Sequence, residues 1–449
     1  MLRLTATQAR SLAEAAAGWL AAQGLGPGDR IAIAPAAEPD VLNAQRQQSA
    51  VLCVVWGALS VGVVPVMANP DLTDLEREYV LTDSEPALVL DSTAALVDCT
   101  EHDLRHPLPP FPLGRPMHYT SGTTGRPKGV WAGVLTDAEA AELWGGEIDL
   151  WGITADDVTL VHGPMAHSGP LRFALYVLLA GGDVLLPGRF DAARTAEALR
   201  TERPTTAFTV PSHLQRLLEL GDDLPASPYR LLVHAGASCP PVLKLAVHDW
   251  AGADRVWEFY GSTEGQFTAM SGVEWEGHQG SVGRARPDRE LRIVDGTIWC
   301  CPPASGRFEY WRDPDKTEAA WREADGRRWF TVGDLGRLDD NGYLFIDGRR
   351  ADLIITGGMN VYPAEVEGAL LEFPDVIDAA VYGMPDEHWG QRVCAAVVGD
   401  IDVEALTAWL RTRLAGYKRP KEIHLVSGLP HTASGKTKRL AVAEVVAGQ

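Results

Sequence analysis

The sequence has few cysteines, no excess of basic residues and no recognisable secretory leader. Its six cysteines are spread over 449 residues without a CxxC pair, so we expect reduced, mostly buried thiols and no zinc finger. The formal net charge of −20 at pH 7 argues against nonspecific binding to nucleic acid or to an anionic membrane. Segment 1–20 lacks a charged stretch followed by an apolar one, so we expect no signal peptide. Scattered, reduced cysteines are typical of a cytosolic protein, so we expect a cytoplasmic location.

One apolar stretch, AVLCVVWGALSVGVVPVMA at 50–68, is long enough to cross a bilayer. It is interrupted by Gly57, Ser60, Gly62 and Pro65. We therefore predict a buried helix up to about Ser60, followed by a buried strand at 63–67.

The composition, 46% hydrophobic and 22% charged residues, is typical of a globular protein. A chain of 449 residues is too long for one simple core, so we expect at least two domains. Short β-branched runs alternate with amphipathic stretches up to about Gly280, which predicts a mostly parallel sheet covered by helices. The predicted strands are 30–34, 87–91, 157–161, 183–187, 206–210, 230–235 and 255–260, and the clearest helices are 191–203 and 211–220.

Beyond Gly280 strand-like runs alternate with Gly/Asp turns without a long helical pattern, which predicts a β-rich lobe at about 280–350. Helices and strands then return in PAEVEGALLEF, VIDAAVYG, RVCAAVVG and DVEALTAWLRTRLAG. The predicted fold class is therefore α/β, with helix-covered, mostly parallel sheets and the β-rich lobe in a large N-terminal domain, 1–350. A small, mobile α+β C-terminal domain, 351–449, follows.

A polar loop, HYTSGTTGRPKGVWAG at 118–133, concentrates hydroxyls, glycines and one lysine. Backbone N–H groups of glycines can surround phosphate oxygens, and a lysine adds positive charge, so the loop predicts an anion-binding site. It is not a Walker A loop, because Pro127 stands where that pattern needs its second glycine and Gly129 follows Lys128. On this stretch alone, an ordinary surface loop is the alternative.

Part of this loop, YTSGTTGRPKGV, closely resembles the phosphate-binding signature of the adenylate-forming (ANL) superfamily, which includes acyl-CoA synthetases. Further motifs resemble those of the family in the same order, so the resemblance covers nearly the whole chain. They are FYGSTEG at 259–265, TVGDLG at 331–336, GRRADLIITGGMNVYPAEVE at 348–367 and LPHTASGKTKR at 429–439. The resemblance implies an ATP- and Mg²⁺-dependent acid–thiol ligase, which forms acyl-AMP and pyrophosphate from a carboxylic acid and then transfers the acyl group to CoA.

The resemblance also implies which residues meet the phosphates and the metal. Lys128 and the preceding loop would hold the β- and γ-phosphates, and Glu264 would ligate Mg²⁺, which prefers oxygen ligands. Thr263 would contact the α-phosphate, and Lys436 would bridge that phosphate and the substrate carboxylate. The other residues of the loop are Thr120, Ser121, Gly122, Thr123, Thr124 and Gly125.

For the nucleoside, the resemblance implies that Tyr260 stacks on adenine and that Asp334 and Arg349 bind the ribose. An ionised carboxylate suits this task because it accepts from two hydroxyls. The remaining predicted ATP contacts are Gly236, Ala237, Ser238, Glu258 and Gly261.

The acyl site is predicted near His167, in a segment that resembles the stretch whose histidine borders the acyl group in the family. Peptide-synthetase adenylation domains place an aspartate nearby to pair with an α-amino group, whereas this segment has His167, Ser168 and Gly169. A buried, unpaired ammonium is costly. We therefore expect a carboxylic acid without an α-amino group.

For the second half-reaction, Gly357 and Gly358 resemble the glycines along which relatives admit the pantetheine arm of CoA, where a Cβ would narrow the passage. At the family's hinge position, usually Asp or Lys, this chain has Ala351, which leaves the hinge assignment open. The sequence starts near the family's usual first helix, so we expect a segment common in relatives to be lacking.

Three alternatives stay open. The acceptor could be a carrier-protein phosphopantetheine or an amine instead of free CoA. A small anion such as nitrite could be adenylated, as in diazotising relatives. From another class, a non-catalytic nucleotide-binding protein could use the same fold, although Lys128, Glu264, Asp334 and Lys436 are all present.

Overall fold

The computed structural model describes residues 1–120, 127–236, 239, 241–348, 353–430, 442–443 and 446, and every structural statement below concerns these residues. The chain divides into two compact units. The first comprises Met1–Pro70, Ser84–Tyr119 and Gly129–Asp347, and the second comprises Asp71–Asp83, Thr120–Lys128 and Gly348–Gln449. No pattern in the sequence indicated that 71–83 groups with the C-terminal chain. The predicted boundary between 350 and 351 lies outside the described residues and stays a prediction.

The strands alternate with helices through most of the first unit. The strands are β1 (Leu2–Leu4), β2 (Arg30–Ile33), β3 (Val64–Met67), β4 (Leu88–Leu90), β5 (Met117–Thr120), β6 (Lys128–Trp131), β7 (Val158–Val161), β8 (Asp183–Leu186), β9 (Thr206–Thr209), β10 (Leu231–His234), β11 (Val256–Gly261), β12 (Gln266–Ser271), β13 (Arg284–Ala285), β14 (Glu290–Val294), β15 (Thr297–Cys301), β16 (Glu309–Tyr310), β17 (Trp321–Ala324), β18 (Arg327–Phe330), β19 (Leu335–Leu338), β20 (Leu344–Gly348), β21 (Ile354–Thr356), β22 (Met359–Val361), β23 (Val376–Asp386), β24 (Gly390–Gly399) and β25 (Glu422–Leu425).

Most helices begin at a polar N-cap; Thr5, for example, accepts from the Gln8 backbone N–H and starts α1. The helices are α1 (Ala6–Ala22), α2 (Val41–Ser60), α3 (Asp74–Ser84), α4 (Thr93–Thr100), α5 (Asp137–Ala140), α6 (Gly146–Leu150), α7 (Ser168–Leu179), α8 (Ala192–Thr201), α9 (Pro211–Leu218), α10 (Pro241–Ala251), α11 (Gly272–Gly277), α12 (Pro314–Ala320), α13 (Pro363–Leu371) and α14 (Val403–Arg411). A π-helical turn, Ala141–Gly145, joins α5 to α6.

The first large sheet has the order β1-β8-β7-β9-β10-β11-β12-β13. The five strands from β8 to β11 in this order run parallel, whereas β1 and β12 pair antiparallel with their neighbours. A second sheet, β16-β6-β5-β3-β2-β4, is parallel from β5 to β4. The predicted α/β fold with mostly parallel, helix-covered sheets is confirmed.

The apolar stretch at 50–68 is a buried helix end and a buried strand, as predicted. Helix α2 ends at Ser60 and β3 begins at Val64. Helix α1 is rich in alanine, and a Cβ added to Gly57 would lie 2.4 Å from the Ala13 carbonyl oxygen, so small residues let α1 and α2 approach closely. Among the described helices, none combines the length and the apolar character that crossing a membrane requires.

The region after β13 is mostly antiparallel β-structure. Its strands have the order β17-β18-β15-β19-β20, with β14 beside β15. The short helix α12 was not predicted there. In the second unit, β22-β21-β24-β23 form a sheet that β25 joins alongside β24. Helices α13 and α14 contribute buried residues to the core of that unit, including Val366, Leu370, Leu406 and Leu410.

Candidate active site

Several predicted site residues follow parallel strands at one edge of the first large sheet. His167 follows β7, Gly236 follows β10, and Thr263 and Glu264 follow β11. Strands β7, β9, β10 and β11 are parallel neighbours, so their carboxyl ends share that edge. This is where ligands bind in open α/β sheets.

The carboxylate of Glu264 is buried and held by a side chain that sequence reasoning missed. Its Oε1 accepts a 2.8 Å hydrogen bond from the Tyr310 hydroxyl, and the residue is only 7% exposed. Its other oxygen has no hydrogen bond within the described part of the chain. Glu264 therefore fits the role of a ligand to a hard cation, because a carboxylate oxygen is what such a cation takes.

The backbone of Glu264 is fixed by a buried arginine, Arg115. Its Nη1 donates to the Glu264 carbonyl at 3.4 Å, and its Nη2 donates to the Arg307 carbonyl at 3.2 Å. Burial lowers the Arg115 pKa to about 10, so the guanidinium is still charged at neutral pH. Arg115 precedes the phosphate-loop motif and carries no motif signal of its own.

The predicted adenine and ribose residues are joined by a hydrogen bond. The Tyr260 hydroxyl donates to Asp334 Oδ2, which connects β11 to the turn between β18 and β19. The Asp334 carbonyl accepts from the Ile298 N–H at 2.9 Å, and the Tyr260 ring lies 4.8 Å from the Phe267 ring, centroid to centroid. The structure therefore brings Tyr260 and Asp334 together.

Glu258 is engaged in a buried ion pair. Its Oε2 lies 2.5 Å from the Lys244 Nζ on α10, and both side chains are buried. In this arrangement the carboxylate is occupied by a protein partner, so the predicted contact of Glu258 with ATP stays a prediction.

The predicted acyl site contains a cavity. His167 is half-buried at the N-cap of α7. His118 Nδ1 lies 3.0 Å from the Ala166 carbonyl oxygen; because a carbonyl only accepts, this nitrogen carries the hydrogen of the neutral ring. Burial lowers the His118 pKa to about 3, so the ring is neutral at pH 7. The cavity is lined by Arg115, Pro116, His118, Val130, Ser168, Arg172 and Thr263.

Behind this cavity, a single buried carboxylate lies between two buried guanidiniums. Glu147 on α6 is 3.6 Å from Arg172 Nη2 and 2.7 Å from Arg286 Nη2. Burial raises the Glu147 pKa, but the charges of Arg286 and Arg172 outweigh burial and bring it to about 2. Glu147 is therefore ionised at neutral pH. The signal in the sequence that could have indicated this pairing is a lone arginine in the apolar helix GPLRFALYVLL.

The polar loop is described only at its ends. Thr120 closes β5 and Lys128 opens β6, which are neighbours in the second sheet. In the second unit, the Tyr79 hydroxyl on α3 donates to the Pro127 carbonyl at 3.2 Å, next to Lys128. The predicted residues outside the described part are Ser121, Gly122, Thr123, Thr124, Gly125, Ala237, Ser238, Arg349, Ala351 and Lys436.

The predicted CoA-side glycines form the two-residue turn of a hairpin. Gly357 and Gly358 connect β21 to β22, and their φ angles are +57° and +80°. Positive φ at both central positions matches a type I′ turn, which favours glycine. The turn alone explains why glycine stands at both positions, so a CoA contact stays a prediction.

The comparisons with known proteins agree with these motifs. The family described as AMP-binding enzyme matches residues 2–109 and 116–304. The chain belongs to this family. A second family, described as AMP-binding enzyme C-terminal domain, matches residues 365–436 of the chain.

The chain is similar in sequence or in structure to several ligases and synthetases. The long-chain-fatty-acid–CoA ligase FadD13 of Mycobacterium tuberculosis is 30% identical over 99% of this chain and 93% of its own length. The solved o-succinylbenzoate CoA synthetase (MenE) from Bacillus subtilis has a TM-score of 0.84 and 27% identity, and the match covers 98% of this chain and 92% of that one. The amide bond synthetase McbA from Marinactinospora thermotolerans has a TM-score of 0.80 and 26% identity over 97% and 94% of the two chains.

These findings confirm the resemblance to acyl-CoA synthetases of the adenylate-forming superfamily. They also confirm the fold of a large N-terminal and a small C-terminal part and the enzyme class, an AMP-forming acid–thiol ligase.

Proposed function

We propose that this AMP-binding enzyme adenylates a carboxylic acid that lacks an α-amino group and then transfers the acyl group to free CoA. The observation that carries the substrate class is the segment after β7, where PMAHSGP (164–170) contains no carboxylate. Fatty acids and o-succinylbenzoate, the acids in the names of two relatives, likewise have no α-amino group.

In the adenylation step, the chain's residues position two anions that must react. Lys128 and the loop before it hold the β- and γ-phosphates, and Asp334, oriented by Tyr260, accepts from the ribose hydroxyls. Thr263 faces the α-phosphate, and Lys436 approaches the α-phosphate and the substrate carboxylate together. Placing donors where negative charge develops is the larger part of catalysis in such a site.

A magnesium ion is part of this proposal, and Glu264 is its proposed ligand. The buried carboxylate that Tyr310 orients supports this assignment. When bound, Mg²⁺ offsets the negative charge of the phosphates.

The acceptor is proposed to be the CoA thiol, which attacks the acyl-AMP carbonyl and releases AMP. A second candidate is an amine, which would give an amide, because the amide bond synthetase McbA is similar over nearly the whole chain. A carrier-protein thiol is the third. We also propose a cytoplasmic location and no nucleic-acid partner, in keeping with the net charge of −20.

The test uses matched acids with and without an α-amino group. Pyrophosphate release is measured with ATP, Mg²⁺ and either 3-phenylpropanoate or phenylalanine, and with octanoate or 2-aminooctanoate. We expect the unsubstituted acid of each pair to react faster. Faster release with both amino acids would overturn the proposed substrate class.

A further inference from the structure

We propose that the acid activated by this enzyme carries a second acidic group, bound by the guanidiniums of Arg115 and Arg172 in the acyl cavity. This inference rests on the proposed function and narrows its substrate to a short dicarboxylic acid or an acid of similar charge.

The cavity is lined by more buried positive charge than the described residues neutralise. Arg115 and Arg172 are 8% and 6% exposed. Arg115 donates only to two backbone carbonyls and forms no ion pair among the described residues. Arg172 shares the single carboxylate of Glu147 with Arg286, which is the closer partner. Three buried guanidiniums, those of Arg115, Arg172 and Arg286, therefore face two buried carboxylates, those of Glu147 and Glu264, and an unpaired buried charge is costly.

Three buried nitrogen atoms of the lining residues lack a hydrogen-bond partner within the described part of the chain. They are Arg115 Nε, Arg172 Nε and His118 Nε2. The two Nε atoms are donors that lack an acceptor, whereas His118 Nε2 is an acceptor, because Nδ1 carries the hydrogen. A ligand with carboxylate oxygens supplies acceptors for the two Nε donors and balances charge, whereas His118 Nε2 would need a donor.

The remaining lining argues against a long hydrocarbon substrate. Apart from Pro116 and Val130, the lining residues are polar or charged. An alkyl chain in this cavity would leave both Nε donors without an acceptor, whereas a short acid with a distal carboxylate would not.

Matched pairs of acids test the inference directly. Pyrophosphate release is measured for butanoate against butanedioate and for hexanoate against hexanedioate, and kcat/KM is compared within each pair. Because a hydrogen bond to a charged group is strong in a buried site, we expect the diacid of at least one pair to exceed its monoacid by roughly ten- to hundredfold. Equal or faster turnover of both monoacids would overturn the inference and leave the proposed function standing. No release with any acid would overturn both.

Variants then locate the effect. Arg172→Met should lower the diacid-to-monoacid ratio of kcat/KM at least tenfold, and Arg172→Lys should restore part of it. Arg284→Met is the control, because Arg284 bonds Tyr343 in another part of the unit and does not line the cavity; its ratio should stay within about twofold of the wild type. If Arg172→Met lowers monoacid and diacid turnover equally, or raises KM for ATP instead, the guanidinium serves the reacting carboxylate or the phosphates and the inference is wrong. The wild-type panel decides the question even if a variant fails to fold.

Discussion

Among single side chains, Tyr310 gives the most direct control over the proposed metal ligand. Its hydroxyl donates to Glu264 Oε1 at 2.8 Å. Tyr310→Phe should raise the Mg²⁺ concentration for half-maximal pyrophosphate release about three- to tenfold, because the carboxylate loses its orientation. Glu264→Gln should lower the rate by roughly a hundredfold or more. A Mg²⁺ titration of each variant measures both effects.

Tyr343→Phe is the control for this prediction. It also removes a buried tyrosine hydroxyl with a hydrogen bond, from Arg284 at 3.0 Å, but in another part of the unit. Its Mg²⁺ dependence should match the wild type. An unchanged titration for Tyr310→Phe, or a wild-type rate for Glu264→Gln, contradicts the assignment.

The motifs identified individual acids but not the residues that orient them. Glu264 and Asp334 stand inside recognisable motifs, whereas Tyr310 and Arg115 contact Glu264 from distant parts of the sequence. Such contacts depend on how strands pair across the sheets, and no local spacing encodes them. Glu258 is a further example, because the sequence did not indicate that its carboxylate pairs with the buried Lys244.

Helices α6 and α7 are linked through Glu147, which makes the first unit sensitive to acid. The pKa of Glu147 is about 2, below its ordinary value of 4.5. A carboxylate with a lowered pKa in the folded state stabilises above its unfolded pKa, and this stabilisation is lost as the pH falls from about 4.5 through about 2. Glu147→Gln should therefore lower the free energy of unfolding by about 3–5 kcal/mol at pH 7, because it leaves Arg172 and Arg286 unpaired.

Denaturant unfolding from pH 7 to pH 3 measures this effect. Below pH 4.5, the free energy of unfolding should fall less steeply in the variant than in the wild type. Glu197→Gln on α8 is the control, since Glu197 is exposed and its one ion pair among the described residues is with Arg200 at the surface; it should change stability by less than about 0.5 kcal/mol. Equal stability of Glu147→Gln and the wild type at pH 7 would show that the buried pairs contribute nothing.

The hairpin of β21 and β22 separates the turn requirement of Gly358 from its proposed role at the CoA passage. Gly358→Asn should preserve the turn, because asparagine tolerates positive φ, yet its side chain should slow acyl transfer to CoA about tenfold or more. Adenylation should change little. Quenched assays measure the two steps separately, adenylation by pyrophosphate release and acyl transfer by acyl-CoA formation.

Gly342→Asn provides the comparison, because Gly342 also has a positive φ, +79°, in a turn with open space around it. Both steps should continue normally in that variant. If Gly358→Asn leaves the CoA step unchanged, the glycine pair serves the turn alone.

The local periodicity of the sequence predicted the strands and helices better than it predicted which of them pair with each other. The alternation of apolar runs and amphipathic stretches indicated the parallel strands from β7 to β11. It did not indicate β1, three residues that pair antiparallel with β8 and add an ion pair between Arg3 and Asp183. It also gave no sign that Glu76 on α3 meets Lys418 at 2.8 Å, beside Glu365, in the second unit. These contacts join residues far apart in sequence.

For the molecule as a whole, Lys436 is the residue that should distinguish the two half-reactions. The resemblance places it at the adenylating centre, and it lies outside the described residues. Lys436→Ala should lower acyl-AMP formation by a factor equivalent to about 3 kcal/mol or more, because a positioned cation is lost. Transfer from preformed acyl-AMP to CoA should continue. Equal loss in both half-reactions contradicts the separate role.

The measurement that tests the central proposal most directly is the identity of the product in the presence of CoA. The full chain is incubated with ATP, Mg²⁺ and the most reactive acid of the panels, with and without CoA, and AMP, pyrophosphate and the acyl product are quantified by mass spectrometry. We predict that CoA accelerates AMP release and yields acyl-CoA in equal amount to AMP. If CoA changes neither quantity, while an amine or a carrier protein accelerates AMP release and is acylated, the enzyme is not a CoA ligase.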